Sequence, residues 1–263
     1  MHFNLNLSII KSKFATIVFL FIHLTLTSQS LKLSKPLVNM QKSLLSKDGV
    51  MVSFDMRMEN VSIRYTDDGK EPTEKSLLYK SAIKISKPCT LKAKAFHPSF
   101  ISSESSVCVI LPRGKEFSSV TVNQPHDHYK LNGSRTLTDQ MLSGLNFREG
   151  YLGYEGDPVM LEVEFEKKEK IKSVIVSLLI DQSSWIFGPS SVIILDEKAK
   201  VIASKNISSS LSPQDIQFLM VEVPCSGKHR YLKIIVDPIS SIPNWHQGKG
   251  EKAWLFLDEI VVR

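Results

Sequence analysis

All three tryptophans of the chain fall in its final third. Trp185 lies within Asp181-Gln182-Ser183-Ser184-Trp185-Ile186-Phe187-Gly188-Pro189, and Trp245 and Trp254 lie in the stretch from Pro243 to Glu259. An indole flanked by polar, turn-forming residues suits a recognition surface, where a flat apolar face stacks on a ligand and its neighbours supply hydrogen bonds. Trp185 and Trp245 have that setting. Beside Trp245 and His246, the residues Pro243, Asn244, Gly248 and Gly250 predict an exposed loop. Ile186 and Phe187 follow Trp185, so a loop plugged into the protein is an equal reading there. Trp254 opens an alternating run into Ile260-Val261-Val262 and reads as the buried start of a last strand. His126-Asp127-His128 places two imidazoles and a carboxylate close together. Without a further His or Cys at a useful spacing, a solvated linker is the better reading than a zinc site. Neither Gly-x-Ser-x-Gly nor a Gly-rich phosphate loop occurs, and the acids are scattered. The pattern is one of binding rather than catalysis.

Lys11 and Lys13 precede an apolar run from Phe14 to Leu26 that ends in small polar residues. At about a dozen residues the run is short for a membrane span and fits a secretory signal over residues 1–30, cut before Leu31. Its loss removes two lysines and no acid, lowering the formal charge from +6 to +4. That mild, interspersed charge argues against nucleic acid as a partner. In an exported chain Cys89, Cys108 and Cys225 allow at most one bridge, with Cys89 to Cys108 the expected pair and Cys225 left over.

The elements that must position these residues read as strands. Val50, Val52, Phe54, Met56 and Met58 alternate with Met51, Ser53, Asp55 and Arg57, and Val61, Ile63 and Tyr65 alternate likewise before an Asp68-Gly69 turn. Leu91, Ala93 and Ala95 alternate with Lys92 and Lys94, and Val107, Val109 and Leu111 close this unit. After Leu111-Pro112-Arg113-Gly114 further strands are expected at 159–165, 173–180, 192–195, 218–223, 231–236 and 256–262. The mixed-charge run Glu164-Phe165-Glu166-Lys167-Lys168-Glu169-Lys170 marks a solvated strand end or turn between two of them. The expectation is all-β, a small sandwich over 35–112 followed by a jelly-roll sandwich over 113–263.

The segment Ile63-Arg64-Tyr65-Thr66-Asp67-Asp68-Gly69-Lys70-Glu71-Pro72-Thr73, with Leu78-Tyr79, Ile83 and Leu91 to Phe96, resembles the carboxy-terminal sandwich of chitobiases and β-hexosaminidases. That implies a fibronectin-III-like or immunoglobulin-like module. Leu137-Thr138-Asp139, Asn146-Phe147-Arg148, Gly153-Tyr154-Glu155-Gly156, Asp181 to Pro189, Arg230 to Lys233 and Trp245 to Val262 resemble the discoidin fold, also called coagulation-factor type C or galactose-binding-like. Such domains end many bacterial glycoside hydrolases. Gln140 stands where that family prefers glycine, and Tyr151 where it often has tryptophan.

The resemblance implies a carbohydrate site on loops at one end of the second sandwich. Trp185 and Trp245 would be its platforms, with Asp181, Gln182, Arg148, Asn146, Glu155 and His246 as hydrogen-bonding partners. It also implies a structural calcium held by Asp139 and Glu259, whose hard oxygen ligands suit that ion. The hydrolase barrel is missing from the resemblance, and no pair of carboxylates is placed as glycoside hydrolysis requires. The expected function is that of an exported, periplasmic or extracellular, non-catalytic protein that binds a hexosamine- or galactose-containing glycan. The alternatives are a structural module docking on a glycosidase subunit, or a fragment of a β-N-acetylhexosaminidase lacking its barrel.

Overall fold

The computed structural model describes residues 31–208 and 212–263, so the expected signal at 1–30 lies outside the described residues. Among the described residues there is no α-helix, only strands and three short 3-10 turns, and no helix is long and apolar enough to cross a membrane. The fold is all-β.

The first sandwich contains β1 (Leu37–Met40), β2 (Val50–Asp55), β3 (Ser62–Thr66), β4 (Leu77–Leu78), β5 (Ile83–Ile85), β6 (Cys89–Phe96) and β7 (Ser106–Ile110). Sheets β1-β2-β5 and β4-β3-β6-β7 enclose a core that includes Val52, Phe54, Leu91, Ala93 and Ile110. The period-two pattern explains these choices, since every second residue of β2 and β6 turns inward. β2 stops at Asp55, short of Met56 and Met58. In β7 the parity is opposite to the expected one: Ser106, Cys108 and Ile110 are buried, while Val107 is 47% exposed. Strand period alone leaves open which of two interleaved sets faces the core.

The cysteine pairing also differs from expectation, because all three cysteines are free. Cys89 stands opposite Ile110, and Cys108 opposite Leu91. The two thiols are therefore diagonal neighbours across β6 and β7. Such positions lie about 7–8 Å apart, beyond the reach of an unstrained bridge. Cys108 instead donates its thiol to Met40 Sδ at 3.2 Å.

The second sandwich contains β8 (Ser119–Val122), β9 (Leu152–Glu155), β10 (Val159–Ile180), β11 (Ser191–Leu195), β12 (Val201–Asn206), β13 (Gln217–Asp237) and β14 (Trp254–Val262). β10 and β13 pair with each other almost end to end inside one seven-stranded sheet, in the order β12-β11-β13-β10-β14-β9 with β8 also on β10. Each runs through both layers into which that sheet folds. The first half of β10 and the second half of β13 lie between β8 on one side and β11-β12 on the other. The second half of β10 leads instead to β14 and β9. The mixed-charge run thus ends no strand. It sits where the β10–β13 register slips between Glu164 and Glu169, letting the ladder bend from one layer into the other. The inward-facing residues on either side of the bend, among them Leu161, Val163, Val176, Leu178, Leu232 and Ile234, meet in the core between the layers.

The β14-β10 layer is covered on its outer face as well. Ile175 and Val261 pack there against Leu44 and Leu111 of the first sandwich. Ser43, fully buried, ties the two units: its N–H donates to Gln140 O at 2.7 Å and its hydroxyl accepts the Leu142 N–H at 2.9 Å.

The orientation of β7 makes a direct prediction for stability. Ile110→Ala should cost about 2–5 kcal/mol in urea unfolding, and Val107→Ala about 0.5 kcal/mol or less. A larger loss from Val107→Ala would contradict the observed parity.

Candidate functional site

Two loops at one end of the second sandwich meet around Trp185, Trp245 and His246. The first begins at Asp181, whose N–H and C=O exchange hydrogen bonds with Ile186 at 3.1 and 3.0 Å and close a tight loop. Ser183 donates to Asp181 Oδ1 at 2.6 Å, and Trp185 adopts a left-handed conformation at φ 65°. That backbone is strained for a bulky residue and persists only where its surroundings hold it. Here they do, because Phe187 behind it is fully buried with Ile239, Ile242 and Ala253. Gly248 lies against the indole so closely that a Cβ there would come within 3.0 Å of the ring.

The second loop runs from Pro238 to Ala253 and is pinned by His246. Its Nδ1 accepts the Gly248 N–H at 3.0 Å, which leaves the proton on Nε2 to be donated to the Gln182 carbonyl at 2.8 Å. Both ring nitrogens are therefore engaged in joining the loops. Gln182, also buried, donates its amide to Ser212 O at 2.9 Å and accepts the Gln214 N–H at 2.7 Å, so it clasps the segment before β13. Asp181, Gln182 and His246, expected as ligand partners, thus spend their polar atoms on building the loops.

The result is a shallow pocket of about 390 Å³ lined by Gln182, Ser183, Pro213, Gln214, Asp215, Trp245 and His246. Trp245 is 43% exposed, its ring beside those of His246 (5.6 Å between centroids) and Phe187 (6.1 Å). Trp185 is half-buried and absent from the lining. Sequence reasoning missed Pro213, Gln214 and Asp215, which carry no motif and arrive through the clasp on Gln182.

Asn146, Arg148 and Glu155 do not line this pocket. Asn146 donates to Glu149 at 2.9 Å, and Arg148 lies over the Phe147 ring at 5.1 Å. Glu155 is exposed at the end of β9, opposite Trp254. Phe147 joins an aromatic cluster on the outer face of β14 with Tyr129, Trp254 and Phe256. Trp254, expected in the core, is only half-buried there, and exposed His126 meets its ring edge-on at 5.1 Å.

Asp139 and Glu259 do meet. Leu255 and Leu257 face the core, as do Ile260 and Val262, so the inward parity of β14 changes at Asp258-Glu259. The extra residue falls between the register pairs Leu178↔Leu257 and Val176↔Ile260, a β-bulge that turns both acids outward. They meet the loop after Leu137. Glu259 Oε2 accepts the Gln140 N–H at 2.8 Å, Asp139 Oδ1 accepts the Met141 N–H at 2.8 Å, and Ser143 donates both its N–H and hydroxyl to Asp258. Gln140 has φ 68°, a conformation that favours glycine.

Asp258 and Glu259 are each 1% exposed, and none of the three acids has an ion-pair partner among the described residues. Burial pushes the Glu259 carboxyl up to about 9 and the Asp258 carboxyl up to about 7, with nearby Asp139 adding to both. Carboxyl oxygens gathered with no cation beside them fit a hard divalent cation, which would take the place of the protons that burial keeps on them. Yet no group of three or more His, Cys, Asp or Glu among the described residues forms a cage. Carbonyl oxygens or water would have to complete any such site.

Residues 45–107 match the family described as the chitobiase/β-hexosaminidase C-terminal domain. No curated protein matches the chain. Similar solved structures include a Streptococcus pneumoniae fucose binding module, at 18% identity over 55% of this chain and 89% of that one, with a TM-score of 0.32. The lectin binding domain of lectinolysin complexed with Lewis b has 15% identity over 57% and 92%, with a TM-score of 0.34. A CBM32 module produced by Clostridium perfringens has 12% identity over 56% and 95%, also at 0.34.

The buried acids set a pH dependence. Their folded pKa values lie above the ordinary carboxylate range, so from about pH 4 upward the folded chain holds more protons than the unfolded one. Stability then falls as pH rises through about 7 and 9. In metal-free buffer the urea midpoint should be lower at about pH 8 than at about pH 5, and Glu259→Gln should narrow the difference. A midpoint that climbs with pH over this range would contradict the assignment.

Proposed function

We propose that this chain is an exported, non-catalytic carbohydrate-binding protein of the accessory kind found beside glycosidases. The observation that carries this reading is Trp245, whose partly exposed indole lines a shallow pocket on loops held together by His246. An aromatic face takes the C–H side of a sugar ring, while Ser183, Gln214 and Asp215 line the pocket with groups suited to its hydroxyls. The family match over residues 45–107 supports the accessory role. Because the loops are preformed, little ordering cost opposes binding. One stacked aromatic adds only about 0.5–1.5 kcal/mol beyond burial, so affinity for a single sugar should lie in the millimolar to high micromolar range.

The ligand of this reading is a hexosamine- or galactose-containing glycan. A glycan array with the purified chain should show reproducible binding that Trp245→Ala abolishes, with an unchanged melting temperature. Silence across the array from folded protein would favour a second reading, docking on a glycosidase subunit. That reading draws on the exposed apolar side chains of the first sandwich, Leu37, Met51, Leu77 and Leu78.

A structural calcium held by Asp139 and Glu259 belongs to the same proposal. When bound, the ion would neutralise the buried carboxylates and brace the loop from Asp139 to Ser143. Millimolar calcium should raise the melting temperature at about pH 8 by a few degrees, and Asp139→Asn should cancel the rise. An equal rise in the variant would remove Asp139 from the site.

A further inference from the structure

A cleft of about 790 Å³ runs between the two sandwiches and continues into a second of about 830 Å³. The two share Leu45, Lys47, Arg113, Gly114, Lys115 and Glu116, so they form one trough. Neither shares a residue with the Trp245 pocket. The first sandwich lines the trough with Lys42 and Lys47, the connecting segment with Arg113 and Lys115, and the second sandwich with Arg135. Further along it are Lys167, Lys170 and Lys172.

These charges are only partly matched. Arg113 pairs with Glu116 at 3.6 Å and Lys115 with Glu169 at 2.9 Å. Lys42, Lys47 and Arg135 are exposed and have no ion-pair partner among the described residues. Unmatched cations in a cleft concentrate anions from solution. The hydroxyls of Ser118, Ser119 and Ser134 also line it. The walls are held in place by the Ser43 hydrogen bonds to Gln140 and Leu142 and by the packing of Leu44 and Leu111 on Val261. The trough is therefore preformed.

Its charges are interleaved with Glu116, Glu166, Glu169 and Glu259. That mixture of signs disfavours a duplex polyphosphate, which carries a charge about every 1.7 Å along its axis. It suits a chain with widely spaced anions and many hydroxyls. We propose that this trough binds an acidic glycan, a polymer whose sugar residues carry carboxylate or sulfate groups. The inference goes beyond the Trp245 pocket and stands without it.

The test is calorimetric titration of the purified chain with a hexagalacturonate, a chondroitin sulfate hexasaccharide, neutral maltohexaose and a short DNA duplex. The two acidic glycan arms distinguish carboxylate from sulfate as the preferred group. At least one should bind, maltohexaose should not, and raising salt from about 50 to 300 mM should weaken binding severalfold. The double variant Lys47→Glu, Arg135→Glu should lose about tenfold or more in affinity while keeping the melting temperature. Single variants at the same positions serve if the double variant fails to fold. Failure of both acidic glycans to bind would overturn the proposal, as would binding indifferent to these variants. Equal or tighter binding of DNA would overturn the glycan assignment. Acidic-glycan binding lost in Trp245→Ala yet kept in the double variant would place the ligand in the other pocket and overturn it too.

Discussion

The second sandwich hangs on one antiparallel ladder, the pairing of β10 with β13 from Val159↔Val236 to Ile180↔Gln217. Two long strands that stay paired cannot remain flat over such a length, because each strand twists. The ladder relieves this at the slip between Glu164 and Glu169, beyond which its neighbours change from β8 and β11 to β14. Both layers of the sheet are then built on the same two strands, and their inner faces meet over Leu161, Val176, Leu178 and Leu232. The loops of the Trp245 pocket leave from the ends of this ladder: Asp181 follows the last residue of β10, and Pro238 the last of β13. Their spacing is set by the ladder before any loop residue acts.

A second irregularity has the opposite effect, concentrating charge where the first relieves strain. The bulge in β14 turns Asp258 and Glu259 outward side by side, under the segment that carries Gln140 and Leu142. The same segment is bonded to Ser43 of the first sandwich. The buried acids, the loop above them and the contact between the sandwiches are therefore mechanically continuous. Whatever neutralises the acids also bears on how firmly the cleft walls are held.

Much of this order was legible in the alternation of apolar residues. Strands with one wet face, such as β2, β6 and the first half of β10, display their orientation directly, because water and core select different residue types at odd and even positions. β7 misled because Val107 and Val109 look like core, whereas Ser106 and Cys108 are the residues turned inward. β14 is buried on both faces, so its sequence shows no alternation and hides the bulge. The charged run in β10 looked like an ending because a bend needs the same solvated residues that a turn needs. At the pocket, residue type pointed to Trp245 but could not distinguish a histidine that meets a ligand from one that ties two loops. That distinction depends on partners in another segment, the Gln182 carbonyl and the Gly248 N–H. Arg148 and Asn146 were drawn in by resemblance, and only the path of the chain shows that Arg148 lies over the Phe147 ring and Asn146 bonds Glu149.

In the proposed site one indole of three faces the ligand. The chain contains only Trp185, Trp245 and Trp254, so its indole N–H groups give three separable signals in a nitrogen-15 correlation spectrum. Titration with a glycan that binds on the array should move the Trp245 signal, with smaller changes at Trp185, which packs behind the same loops, and none at Trp254. A spectrum in which Trp254 moves and Trp245 stays still would contradict the account and place the ligand on the aromatic face of β14.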